Sequence, residues 1–113
     1  MDFLDFLSND GNDFKGRTLK LIWSFSDEDI EGTHDFIQIV FPLNKPSDHA
    51  FHSHYLDSED LIQQIRDNLT ARDNILKSSR WYFSFLKRNI WLWNRNYDHN
   101  HLRITRVIEC LRL

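Results

Sequence analysis

Gly11, Gly16, Gly32, Pro42 and Pro46 are the only glycines and prolines among 113 residues. A sheet domain needs a turn roughly every 8–12 residues, and tight turns draw on Gly and Pro for backbone geometry that other residues resist. So few breakers leave long uninterrupted stretches, and the chain is predicted to be all-α. Hydrophobic residues at 41% and aromatics at 14% are enough for a packed core and do not fit a disordered chain. The expectation is a single domain over residues 1–113, built from five or six helices.

The net charge of −3 conceals an asymmetry. Residues 1–60 carry thirteen acids against four bases, and residues 61–113 carry four acids against ten bases. Two halves that pack and compensate each other account for this. The sharper reading is a basic face for an anionic partner. Nucleic-acid binders usually carry a net basic domain, so compensation is the favoured reading. Cys110 is the single cysteine; it lies in an apolar pattern and reads as a buried small hydrophobe rather than a reactive thiol. No stretch approaches the roughly 20 apolar residues of a membrane span. Met1-Asp2-Phe3-Leu4-Asp5 places acids where a secretory leader has bases. An intracellular setting, cytoplasmic or nuclear, is expected.

Periodicity and capping residues mark the elements. Phe3, Leu4, Phe6 and Leu7 suggest a short helix closed by the turn Ser8–Asp13. Leu19, Leu21, Ile22, Trp23 and Phe25 form a run that suits a buried helix or a strand. Ser26 is an N-cap followed by Asp27, Glu28 and Asp29, which favour the positive end of a helix dipole; that helix breaks near Gly32 and restarts around Thr33. Phe36, Ile37, Val40 and Phe41 fall on one helical stripe before Pro42. Residues 44–57 read as a long loop. Leu61, Ile65, Leu69 and Leu76 approximate one face of a helix over 58–76, capped at Asp57 or Ser58. A second long helix, about 78–93, is apolar on all sides and belongs in the core. Asn94–Asp98 reads as a turn, and Ile104, Val107, Ile108 and Leu111 mark the buried stripe of a final helix over 99–112.

Few motifs carry chemistry. His49, His52 and His54 stand close in the long loop, and His99 and His101 are two apart. A zinc site takes three or four ligands in a rigid second shell, and no cysteine pair supports either cluster. They read as exposed polar histidines, and no metal or other cofactor is expected. His99-Asn100-His101 spells the letters of a nuclease motif, but those nucleases spread the three residues over a ββα finger. Serine-nucleophile, P-loop and dinucleotide patterns are missing, so a non-enzymatic protein is expected. Arg80 to Arg95 interleave bases with aromatics, which suits a core helix with a charged exterior better than a base-stacking platform.

Three blocks carry a family resemblance. Gly16-Arg17-Thr18-Leu19 leads to Trp23 and Ser26-Asp27-Glu28. Glu31, His34-Asp35-Phe36-Ile37-Gln38 and Phe41-Pro42-Leu43 follow, with Pro46-Ser47 beyond. His99-Asn100-His101-Leu102-Arg103-Ile104-Thr105-Arg106 runs on to Leu111-Arg112-Leu113. Over roughly residues 14–113 the chain resembles the conserved region of the opioid growth factor receptor family. It departs from the family at Ile39, where Trp usually follows Ile-Gln. The resemblance implies peptide recognition. On that basis a peptide- or protein-binding domain with receptor-like activity is expected. The candidate contact surface is His34, Gln38, Trp91, Trp93, His101, Arg103 and Arg106. The same polar residues also suit a buried network that fixes helix order. Alternatives are a small stand-alone inhibitor or adaptor of microbial or viral origin, a homo-oligomer formed through the aromatic 81–93 segment, and a nucleic-acid binder using the basic half.

Overall fold

Side-chain caps set most of the helix starts. In the computed structural model, which describes residues 1–46, 55–89 and 100–113, Asp2 accepts from the Asp5 amide and opens α1 (Phe3–Leu7). Thr18 accepts from the Leu21 amide at 3.1 Å and opens α2 (Leu19–Trp23). Ser26 opens α3 (Asp27–Gly32) with a capping box: the Asp29 amide donates to Ser26 Oγ at 3.1 Å, and the Ser26 amide donates back to the Asp29 carboxylate at 3.4 Å. Thr33 ends α3 in extended backbone, and the chain becomes helical again only in α4 (Ile37–Val40), not at Thr33 itself. Ser58 caps α5 (Glu59–Asp67), α6 follows as Leu69–Arg88, and α7 spans Asn100–Leu111. The fold is all-α, with seven helices among the described residues.

Two helices follow residue 58 as expected, but the break between them falls at Asn68 rather than near residue 77, so residues 58–76 do not form one helix. Asn68 takes an extended conformation, φ −91° and ψ 107°, between α5 and α6. Its amide donates to Ile65 O at 3.2 Å, while its side-chain oxygen accepts from the Ala71 amide at 2.9 Å. One asparagine thus ends one helix and starts the next, satisfying orphan groups of both. The break resets the helical phase. Leu69 and Leu76, expected to line the core with Leu61 and Ile65, are instead 71% and 47% exposed.

The reset turns small and polar residues of α6 inward. Ala71, Asn74 and Ser78 are buried at i, i+3 and i+7, where short side chains let other helices approach. Asn74 Nδ2 donates to Leu7 O at 2.9 Å and so closes the C-terminal end of α1, which packs on both α5 and α6. Ser78 Oγ accepts from the Trp23 indole at 2.8 Å and seats α2. Further along α6 the inward residues are Tyr82, Phe85 and Leu86, as expected for a helix central to the core. Phe36 sits edge-on to Phe25 and Trp81, with centroids 5.8 and 5.9 Å away, and Phe41 meets Tyr82 at 6.5 Å. Such edge contacts add about 0.5–1.5 kcal/mol each beyond area burial. The radius of gyration is 13.5 Å, against about 13 Å expected for a folded chain of this length.

The inner face of α7 differs from the expected stripe. Arg103, Val107 and Cys110 are buried, at 4%, 0% and 7% exposure, while Ile108 is 43% exposed. Ile104 is half-buried against the core. The helix is present where the periodicity placed it, but rotated. No helix among the described residues is long and apolar enough to cross a membrane.

Candidate functional site

Arg103 and Arg106 lie one turn apart on α7 and reach the ends of two short helices. Arg103 donates to the carbonyls of Ile30 at 2.8 Å and Thr33 at 2.7 Å, at the C-terminal end of α3. Its guanidinium also lies 5.1 Å from the centre of the Phe36 ring. Arg106 donates to Phe41 O at 2.9 Å and Gln38 O at 3.2 Å, at the C-terminal end of α4. A helix C-terminus presents unpaired carbonyls and the negative end of its dipole, so a cation is favoured there. Burial pulls the Arg106 guanidinium below its usual range, and nearby Cys110 and Glu109 oppose that pull.

These placements revise the expected contact surface. Arg103 is a core residue whose donors are turned onto the main chain, so it does not offer a surface contact. Arg106 is half-buried and clamps α4. Gln38 is also buried, at 6% exposure; its amide donates to His34 O at 3.4 Å, and its Oε1 has no hydrogen-bond partner among the described residues. His34 and His101 are exposed. Trp91 and Trp93 lie outside the described residues, as do His49, His52, His54 and His99. Among the described residues no group of three or more His, Cys, Asp or Glu is placed to hold a metal ion.

An ion network that periodicity does not reveal fixes the segment before α2. Asp13, only 5% exposed, accepts from the main-chain amides of Lys15 and Arg17, each at 2.8 Å. Gly16 sits within this turn at φ +77°, which a side chain would strain. Arg17 then bridges Asp13 Oδ2 at 2.6 Å and Asp35 Oδ1 at 2.8 Å, and Lys15 pairs with Asp35. Burial works against charge on Arg17, but its bonds to Asp35 and Asp13 outweigh that and hold its pKa above the ordinary value. Burial alone would lift Asp35; the bonds from Lys15 and Arg17 prevail and hold it below the usual carboxylate range. The spacing Asp13-x-x-Gly16-Arg17 is the signal in the chain, since an Asx turn followed by a left-handed glycine closes on itself.

A groove opens where α5, α6 and α7 meet. It encloses about 530 Å³, within the range of roughly 300–1,000 Å³ typical of ligand sites. Ile62, Ile65 and Cys110 form buried parts of its wall, and Leu7 of α1 borders it. Leu76 and Leu111 stand at its mouth, 47% and 41% exposed. Arg66, Arg72 and Arg112 are exposed around it, with Asp67 the single acid. Burial pushes the Cys110 thiol up to about 12, with Arg106 opposing, so at neutral pH it is protonated and a poor nucleophile. The site combines an apolar wall with exposed guanidinium groups. Sequence reasoning missed it because Leu76, which lines it, was expected to face the core from one continuous helix over 58–76.

No family model matches the chain, and comparisons with curated proteins and with solved structures find no match.

Proposed function

We propose that this chain is a non-enzymatic binding domain, akin to the conserved region of the opioid growth factor receptor family, that recognises a peptide or protein segment inside the cell. The observation that carries the reading is the groove between α5, α6 and α7, with Leu76 and Leu111 left open to solvent at its mouth. An apolar concavity of this size, rimmed by polar residues, is where a folded domain gains from a partner what it did not gain from folding. Arg103 and Arg106 serve this function indirectly by holding α3 and α4 against α7. Among the described residues of the expected surface, His34 and His101 are exposed.

Selection from a displayed library of random peptides tests the proposal. Selected peptides should lose binding to a Leu76→Gln/Leu111→Gln variant that melts like wild type. Amide chemical-shift changes on their addition should fall on α5, α6 and α7. Failure to enrich any peptide, or equal binding to the variant, would overturn the reading.

A further inference from the structure

We infer that the groove is shaped for one class of occupant, an acidic amphipathic helix; this rests on the binding reading above and specifies its ligand. Charge is the first argument. Residues 61–113 hold ten bases and four acids, and the structure separates those bases by use. Arg103 and Arg106 are turned onto main-chain carbonyls, and Arg88 pairs with Asp27 at 2.7 Å. Around the groove, Arg72 and Arg112 are exposed and have no carboxylate partner among the described residues, and Arg66 reaches only Leu113 O. The acid at the rim, Asp67, already accepts from Gln63 at 3.0 Å. An apolar concavity beside the exposed guanidinium groups of Arg72 and Arg112, which have no carboxylate partner among the described residues, matches a ligand with apolar anchors and carboxylates beside them, since the planar guanidinium pairs bidentately with carboxylate.

The second argument is the chain's own α1. It reads Phe-Leu-Asp-Phe-Leu behind its cap Asp2, an acidic amphipathic helix, and it lies against α5 and α6, the same pair that walls the groove. Leu7 borders the groove, so α1 occupies the adjoining stretch of that surface. The helix pair therefore already seats the apolar face of one short helix, Phe3, Phe6 and Leu7, while Asp5 stays exposed. The described residues present no strand edge to extend, which favours helix-in-groove docking with anchors at i, i+3 or i+4, and i+7 over β-addition.

The probe is a synthetic amidated helix of sixteen residues with Leu at those anchor positions and Glu beside them, compared with its Glu-to-Gln analogue by fluorescence polarisation on the full chain. The Glu peptide should bind about tenfold tighter than the Gln peptide at low salt, from a few exposed charge pairs together. That gap should close as salt rises or in the Arg66→Gln/Arg72→Gln/Arg112→Gln variant. These arginines are exposed, so the variant should keep the wild-type melt. Equal binding of both peptides would overturn the acidic specificity while leaving an apolar peptide groove intact. Binding of neither would overturn the inference, and would overturn the groove reading as well only if library selection also failed. Tighter binding of a duplex oligonucleotide through the same arginines, or rim-dependent self-association of the chain in sedimentation, would replace the inference with a different occupant.

Discussion

The two faces of α7 invert the usual arrangement of a surface helix. Its inner face carries Arg103, Val107 and Cys110, all buried. Its outer face carries Leu102 and Ile108, 65% and 43% exposed. The inner arginine is tolerated because two carbonyls and the Phe36 ring surround its charge. A buried cation without such partners would cost several kcal/mol. Any helix leaves its last carbonyls without an intrahelical donor, and α7 supplies donors to the ends of both α3 and α4. What distinguishes the faces is therefore the set of groups that each one meets, not hydrophobicity alone.

The contrast can be broken in order of expected effect. Val107→Asp puts an unpaired carboxylate where exposure is zero, and should cost more than about 4 kcal/mol, leaving no cooperative melt by circular dichroism. Arg103→Ala should cost about 3 kcal/mol in urea denaturation, because the Ile30 and Thr33 carbonyls lose their donors. Arg103→Lys should recover only part, since an ammonium cannot reproduce the planar fork. A wild-type midpoint for Arg103→Ala would refute the clamp.

Cys110 tests the inner face by pH. Its thiol is raised by burial from an ordinary 9.0 to about 12. The folded state thus holds a proton that the unfolded state releases, so this contribution is present below about pH 9 and is lost as pH rises towards 12. Cys110→Ala should show a shallower alkaline loss of stability than wild type. Indistinguishable profiles would mean that the thiol is not sequestered. At the acid end Asp35, held low by Lys15 and Arg17, works in the opposite sense: its contribution is present above its unfolded value, near pH 4, and is lost as pH falls. The smallest effect belongs to the outer face. Ile108→Asp should change stability by no more than about 0.5 kcal/mol, because the side chain is already 43% in solvent. Unfolding by that substitution would mean that α7 is turned the other way.

Features that depend on a few neighbouring residues were readable in advance. Ser26 and Ser58 cap the helices that their positions announce, and the acids after Ser26 fill a first turn. The helix through 100–111 and the burial of Phe36, Ile37, Val40 and Phe41 follow from spacing. Asn68 was harder. Helix formers on both sides hide a residue whose side chain and amide act in opposite directions along the chain. The Asp13–Arg17–Asp35 network joins residues eighteen apart through a turn, and no helical or strand period registers such a pair. For the candidate site, the family resemblance drew attention to Arg103 and Arg106 but not to which way they point.

The amino-acid sequence by itself determined that this chain is helical, where most helices begin, and that its second half is basic. Those properties are set by backbone propensity, caps and composition, which act within a turn or two of the chain. Only the tertiary structure decided which arginines are consumed in holding the fold and which stand around a groove. That division depends on where the carbonyls at the ends of α3 and α4 come to lie relative to α7, more than sixty residues away, and on the phase that Asn68 gives α6. A guanidinium takes whichever partners the packing brings within about 3 Å of it, and distances of that kind do not exist until the helices have assembled.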